Sequence, residues 1–188
     1  MSLSSGLIIK QITRIQILKA IRPIKIRLEA SSACQLRCPL CPTAQGKIQK
    51  GVVGTGFLEF ESFKRLVNEN PYIVELELSN WGEVLLNPQL PQILACAYQK
   101  KIRVYLSNGV NLNHASKEAI EALVKYNVRN ITVSIDGASQ EVYQKYRIGG
   151  NFGRVIQNIK IINEYKQKYN VEYPYLIWQF VIFGGKVM

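Results

Sequence analysis

The chain has 188 residues, 47% of them hydrophobic, enough to bury a core and, at this length, to make one main domain the expectation. No apolar run approaches the roughly 20 residues of a membrane-spanning helix, and the N-terminal order of residues is not that of a secretion signal, so the expected location is the cytoplasm. A net charge of +11, from 24 Lys plus Arg against 13 Asp plus Glu, invites a nucleic-acid reading, but the cations are scattered, as at Lys160, Lys166 and Lys168, which makes a solvated basic surface the simpler account, an acidic partner or anionic membrane the next, and nucleic acid the last.

Residues 7 to 22 place Ile8, Ile12, Ile15, Leu18 and Ile21 at helical spacing, with Lys10, Arg14, Lys19 and Arg22 between them. This predicts an N-terminal amphipathic helix over 1–22, ahead of a main body over 23–188. Such a helix can lie on a membrane surface; capping the underside of the core is the plainer role. Pro23 ends it.

Ile24, Ile26, Leu28 and Ala30 then alternate with Lys25, Arg27 and Glu29, which predicts a strand with one face turned inward. Directly after it come Cys34, Cys38 and Cys41, three of the four cysteines, at C-x3-C-x2-C spacing. Three thiolates reach one inorganic centre only if the loop folds back, and Pro39 and Pro42 favour the turns that allow it. An iron–sulfur cubane normally takes four cysteines, so three leave one iron open to chemistry. Structural zinc wants four closed ligands, and no second C-x2-C or H-x3-H pair is present. A disulfide framework suits an odd cluster still less. The cluster is therefore preferred over zinc, and zinc over unliganded thiols.

Gln45 to Gly56, with Gly46, Gly51, Gly54, Gly56, Lys47 and Lys50, reads as a mobile loop near the site, without a P-loop pattern. Phe60, Phe63, Leu66 and Val67 predict a helix that Asn70-Pro71 stops. A strand over Ile73–Ser79 and a helix over about Pro88–Lys101 follow, the latter turning Leu90, Ile93, Leu94 and Ala97 to the core. Cys96 lies on this helix and reads as a structural thiol rather than a fourth ligand. Next come a strand over Ile102–Leu106, a helix over Lys117–Tyr126 and a strand over Asn130–Asp136. The single histidine, His114, beside Asn113 and Ser116, reads as a surface or capping residue rather than a base. Helical segments Gln140–Tyr146 and Phe152–Tyr169 flank Gly149-Gly150, and Pro174–Ile182 is a last strand before Gly184-Gly185.

Strand and helix thus alternate four times before a fifth strand, which predicts an α/β fold, a partial parallel (β/α) barrel of about five strands. In such barrels the catalytic rim lies at the C-terminal ends of the strands, where the cysteines fall.

The cysteine loop resembles the signature of the radical S-adenosylmethionine (SAM) enzymes, C-x3-C-x2-C after the first barrel strand. Asn80-Trp81-Gly82-Glu83-Val84-Leu85-Leu86-Asn87-Pro88, Leu106-Ser107-Asn108-Gly109 and Val133-Ser134-Ile135-Asp136-Gly137-Ala138-Ser139 follow in the family's order. The resemblance covers about residues 24 to 183 and includes the core domain of SPASM-type members. It implies that Cys34, Cys38 and Cys41 ligate three irons of a [4Fe-4S] cluster, with SAM on the fourth. Reductive cleavage of SAM would then give a 5′-deoxyadenosyl radical that abstracts hydrogen from a peptide or small-molecule substrate, the electron coming from a donor such as flavodoxin or ferredoxin.

The same resemblance sets Gly82 and Glu83 in a G-G-E segment that meets the methionine amino group, although Trp81 replaces its first glycine and Val84 the usual proline. It places Ser107, Asn108, Ser134 and Asp136 at successive strand ends around the ribose and methionyl moiety, and Arg147 as a carboxylate clamp. As single residues these are also ordinary turn and cap formers, Asp136 for the next helix. Leu40 stands where an aromatic is usual, which leaves an apolar contact to adenine. The family's core usually has six strand–helix units, so the last is expected to be missing here. Two readings follow: an enzyme domain, or a truncated or degenerate cluster-binding domain or partner subunit without its own turnover. An open barrel edge predicts self-association or a partner chain that covers it.

Overall fold

In the computed structural model, which describes residues 22–48 and 54–182, five strands lie side by side in chain order. They are β1 (Lys25–Arg27), β2 (Glu75–Glu77), β3 (Arg103–Val110), β4 (Asn130–Ser134) and β5 (Tyr175–Gln179), and every neighbouring pair is parallel. Parallel neighbours need a crossover. The crossovers carry α1 (Phe60–Glu69), α2 (Leu90–Gln99), α3 (Lys117–Lys125) and, between β4 and β5, both α4 (Gln140–Tyr146) and α5 (Phe152–Tyr169). An order that never reverses is that of a (β/α) barrel rather than a doubly wound sheet, so the fold is the partial barrel that the sequence predicts. The N-terminal helix expected over 7–22 lies, apart from Arg22, outside the described residues, as do 49–53 of the glycine-rich loop and Gly184-Gly185.

Helix spacing translates into burial as expected. Phe63 and Val67 of α1, and Leu90, Ile93, Leu94 and Ala97 of α2, join Ile120 and Leu123 of α3 and Val155, Ile159 and Ile162 of α5 in one core. They pack against the outward strand residues Leu76, Val104, Leu106, Ile131 and Val133, each large side chain contributing about 1.5–3 kcal/mol by leaving water. Cys96 is buried in that layer as a free thiol. Three helices start on side-chain caps: Ser116 accepts from Ala119 N–H at 3.1 Å, Ser139 from Val142 N–H at 3.3 Å and Asn151 from Arg154 N–H at 2.8 Å. His114 is exposed and leaves the cap of α3 to Ser116. Asp136 does not cap α4 either; Ser139 does.

Boundaries differ from the predicted ones where side chains take over the ladder. β1 and β2 are shorter than expected, and Ile24 is exposed rather than turned inward. β3 is longer, running through Ser107 and Asn108 to Val110 with an irregular register after Leu106. Ser107 N–H is donated to the Glu77 carboxylate at 3.0 Å and Asn108 N–H to Ser79 Oγ at 3.1 Å. With those donors diverted, the strand bulges, and Gly109 supplies the positive φ of 103° that the bulge requires. β1 and β5 are the two edges of the sheet, and on β5 Tyr175, Ile177 and Trp178 are exposed. No helix among the described residues is long and apolar enough to cross a membrane.

Candidate cofactor site at the barrel mouth

The chain leaving β1 is pinned before it reaches the cysteines. Ala30 N–H is donated to Leu78 C=O, Ser32 Oγ accepts from Gly56 N–H at 2.8 Å, and Glu83 N–H is donated to Ala33 C=O at 2.8 Å. Gly82 makes the last contact possible, since a Cβ there would fall 1.9 Å from Ser31 O. Beyond Cys34 the loop turns back on itself: Arg37 N–H is donated to Ile148 C=O at 2.9 Å, Cys41 N–H to Cys38 C=O at 3.1 Å and Gln45 N–H to Cys41 C=O at 3.0 Å. Thr43 Oγ1 ties the far side of the loop to Trp81 C=O at 2.8 Å. Cys34, Cys38 and Cys41 are thereby held, as free thiols, at the C-terminal end of β1.

Burial dominates the electrostatics of Cys34 and Cys38. It pushes Cys34 up to about 11, with the charges of Glu83, Cys38 and Cys41 adding to the rise. Cys38 is raised by burial as well, against the pull of Arg147. Three thiolates here repel one another, so the loop favours its deprotonated form only around a positive centre. Two sulfurs already have donors: Asn111 Nδ2 stands 3.8 Å from Cys34 Sγ, and Arg147 Nη1 stands 3.8 Å from Cys38 Sγ. Among the described residues no three Cys, His, Asp or Glu side chains are gathered closely enough for one metal ion. A cubane puts each thiolate on a different iron and so accepts a wider spacing. Soft sulfurs, one buried and two half-buried, with N–H donors aimed at two of them suit such a cluster.

Around this loop the other expected site residues fall into two groups. Glu83, Ser134, Asp136 and Arg147 are drawn inward. Both Glu83 oxygens are engaged, accepting from Asn111 N–H at 2.7 Å and Leu85 N–H at 3.3 Å, so its carboxylate braces the chain instead of projecting into the mouth. Burial raises its pKa to about 7 against those two hydrogen bonds. Arg147 Nε is 2.6 Å from Asp136 Oδ2, and the other Asp136 oxygen accepts from Val181 N–H at 2.8 Å. Ser134 is buried beneath Gly109, where a Cβ would fall 2.7 Å from its hydroxyl.

Ser107, Asn108 and Leu40 form the second group and are exposed. Ser107 and Asn108 lie inside the β3 bulge rather than at its end, with Asn108 Nδ2 bonded to Asn80 Oδ1 at 3.3 Å. Sequence reasoning missed Gln35, Asn111 and Asn113, which frame Cys34, and Glu29, whose carboxylate accepts the Trp81 and Gly82 N–H groups at 3.0 and 3.2 Å. Asn111-Leu112-Asn113, two residues past Gly109, was the available signal, but asparagines there are common turn formers.

A parallel partial barrel with three cysteines on the loop after its first strand defines a class of cofactor-dependent proteins. Residues 28–177 match the sequence profile of the radical SAM superfamily, and the chain belongs to that superfamily. Its members bind a [4Fe-4S] cluster and SAM. The chain is similar to the AdoMet-dependent heme synthase of Methanosarcina barkeri, 28% identical over 145 residues that cover 76% of this chain and 40% of that protein. It is also similar to the cysteine-type anaerobic sulfatase-maturating enzyme of Clostridium novyi, 27% identical over 157 residues, covering 76% and 41%. Among solved structures, SuiB of Streptococcus suis bound to S-adenosylmethionine, a SPASM-type member, shares the fold with a TM-score of 0.61 at 17% identity, covering 76% of this chain and 32% of that one. The chain spans about two fifths of the length of the curated relatives named, 40% and 41%.

Proposed function

We propose that the chain is the cluster- and SAM-binding part of a radical SAM enzyme that acts on a peptide or a small molecule. The observation that carries this reading is the folded-back loop that presents Cys34, Cys38 and Cys41 at the barrel mouth with donors already aimed at two sulfurs. These three cysteines would hold the cluster. A reduced cluster bound there would supply the one-electron, radical chemistry on SAM that removes hydrogen from a substrate.

The protein's own part is to bind, orient and keep water out. Buried Leu36 and Cys38 wall the loop from solvent. Gly82 lets the end of β2 approach the cysteine loop, which leaves its backbone for the methionine amino group while Glu83 stays a brace. Asp136 takes part of the Arg147 fork, and the guanidinium has further N–H groups for the methionine carboxylate. Ser107, Asn108 and Ser134 provide hydroxyl and amide groups for ribose and methionyl oxygens, and exposed Leu40 offers an apolar face to adenine. A basic surface suits an acidic one-electron carrier of the flavodoxin or ferredoxin kind. The inward Glu83 carboxylate favours a second reading, a cluster-binding domain or partner subunit without turnover.

Release of 5′-deoxyadenosine separates the two. The reconstituted, dithionite-reduced chain is expected to convert SAM to equal amounts of 5′-deoxyadenosine and methionine by liquid chromatography, and Cys41→Ala to convert none. A cluster-loaded chain that releases neither product would favour the second reading.

A further inference from the structure

Asn111 follows the β3 bulge, and its neighbours fix which way its amide faces. The carbonyl oxygen Oδ1 accepts from Gln35 Nε2 at 2.7 Å and from the Asn113 backbone N–H at 3.0 Å. A flipped amide would set N–H against N–H twice, so Nδ2 must be the end aimed at Cys34 Sγ, 3.8 Å away. The backbone N–H of the same residue is held by Glu83 Oε2 at 2.7 Å. Asn113 extends the frame to the Tyr143 hydroxyl at 2.8 Å and the Asn151 N–H at 2.6 Å. Asn111 and Asn113 are both buried, so the donor is set in place before any ligand arrives.

We infer that Asn111 is a positioning residue that raises the reduction potential of the cluster held by Cys34, an inference that rests on the cluster reading proposed above. An N–H pointed at a ligating sulfur stabilises the more negative, reduced state, and such hydrogen bonds are among the levers that set cluster potentials. Arg147 offers the only comparable side-chain donor seen at a cysteine sulfur among the described residues, and Asp136 balances its charge at 2.5 Å. Asn111 acts instead as a neutral dipole with its direction fixed at both ends.

The test is a redox titration followed by electron paramagnetic resonance, without SAM, on anaerobically reconstituted wild type and Asn111→Asp, with iron and sulfide counted per chain. Aspartate keeps the shape, the two acceptor contacts and the backbone link to Glu83 while it replaces the donor with an oxygen and adds a negative charge; leucine removes the donor without adding charge. At equal iron content the variant is expected to show a more negative midpoint, and Asn111→Leu the same direction of shift. An unchanged or more positive midpoint in either loaded variant overturns the inference. Folded variants that both take up no iron would make Asn111 an assembly residue and overturn it too. A wild-type chain that takes up no cluster overturns the underlying reading, so the wild-type iron content tells the two failures apart.

Discussion

Glu83 is a carboxylate almost without water, 2% exposed, and burial lifts its pKa from 4.5 to about 7. The folded chain therefore holds this proton more tightly than the unfolded chain. The resulting stability is fully present below pH 4.5 and is lost as pH rises through 7, a swing of roughly 3 kcal/mol for a shift of this size. Urea unfolding of the cluster-free chain between pH 4.5 and 8 is expected to show wild type losing stability relative to Glu83→Gln as pH rises. A constant difference between the two would count against the buried carboxylate. At this scale the sequence was legible where chemistry is local. Cysteine spacing marks the loop that folds back at the end of β1, and a glycine marks the backbone contact at Gly82. Asn111 and Gln35 were not legible, because each acquires its role from residues about 76 positions away, a closure that no local pattern encodes.

Elements follow the hydrophobic pattern closely, and one exception, β3, has its cause on the neighbouring strand. α4 and α5 begin and end where helical spacing and the Gly149-Gly150 break put them. β3 does not, because Glu77, buried on β2, accepts Ser107 N–H as well as the Ser79 N–H and hydroxyl, the last at 2.7 Å. A charged residue in an alternating strand reads as solvent-facing, yet here it stitches two strands and shapes the bulge that carries Ser107 and Asn108. Glu77→Ala leaves those donors without an acceptor and is expected to cost about 2–3 kcal/mol. Glu77→Gln, which keeps one oxygen, should cost less than half of that. Denaturant midpoints of both variants check the order, and equal losses would contradict the stitch.

At the scale of the whole molecule, the five-stranded sheet is open, with β1 at one edge and β5 at the other. Trp178 is 61% exposed and Ile177 48%, an apolar edge of the kind that pairs with another chain or segment. The sedimentation coefficient of the wild type is expected to rise with concentration, and Ile177→Lys to hold it at the monomer value. A wild type that stays monomeric at high concentration would contradict this. The barrel itself was readable from the alternation of five strands with helices, while the exposure of β5 follows from what packs on it, which alternation does not reveal.

The claim on which the rest stands is that Cys34, Cys38 and Cys41 hold an iron–sulfur cluster with one iron left for SAM. Anaerobic reconstitution followed by electron paramagnetic resonance of the reduced chain, with and without SAM, tests it most directly. A [4Fe-4S] signal that changes on adding SAM and vanishes in Cys38→Ala is expected. A signal indifferent to SAM, or a chain that takes up zinc and no iron, would contradict it.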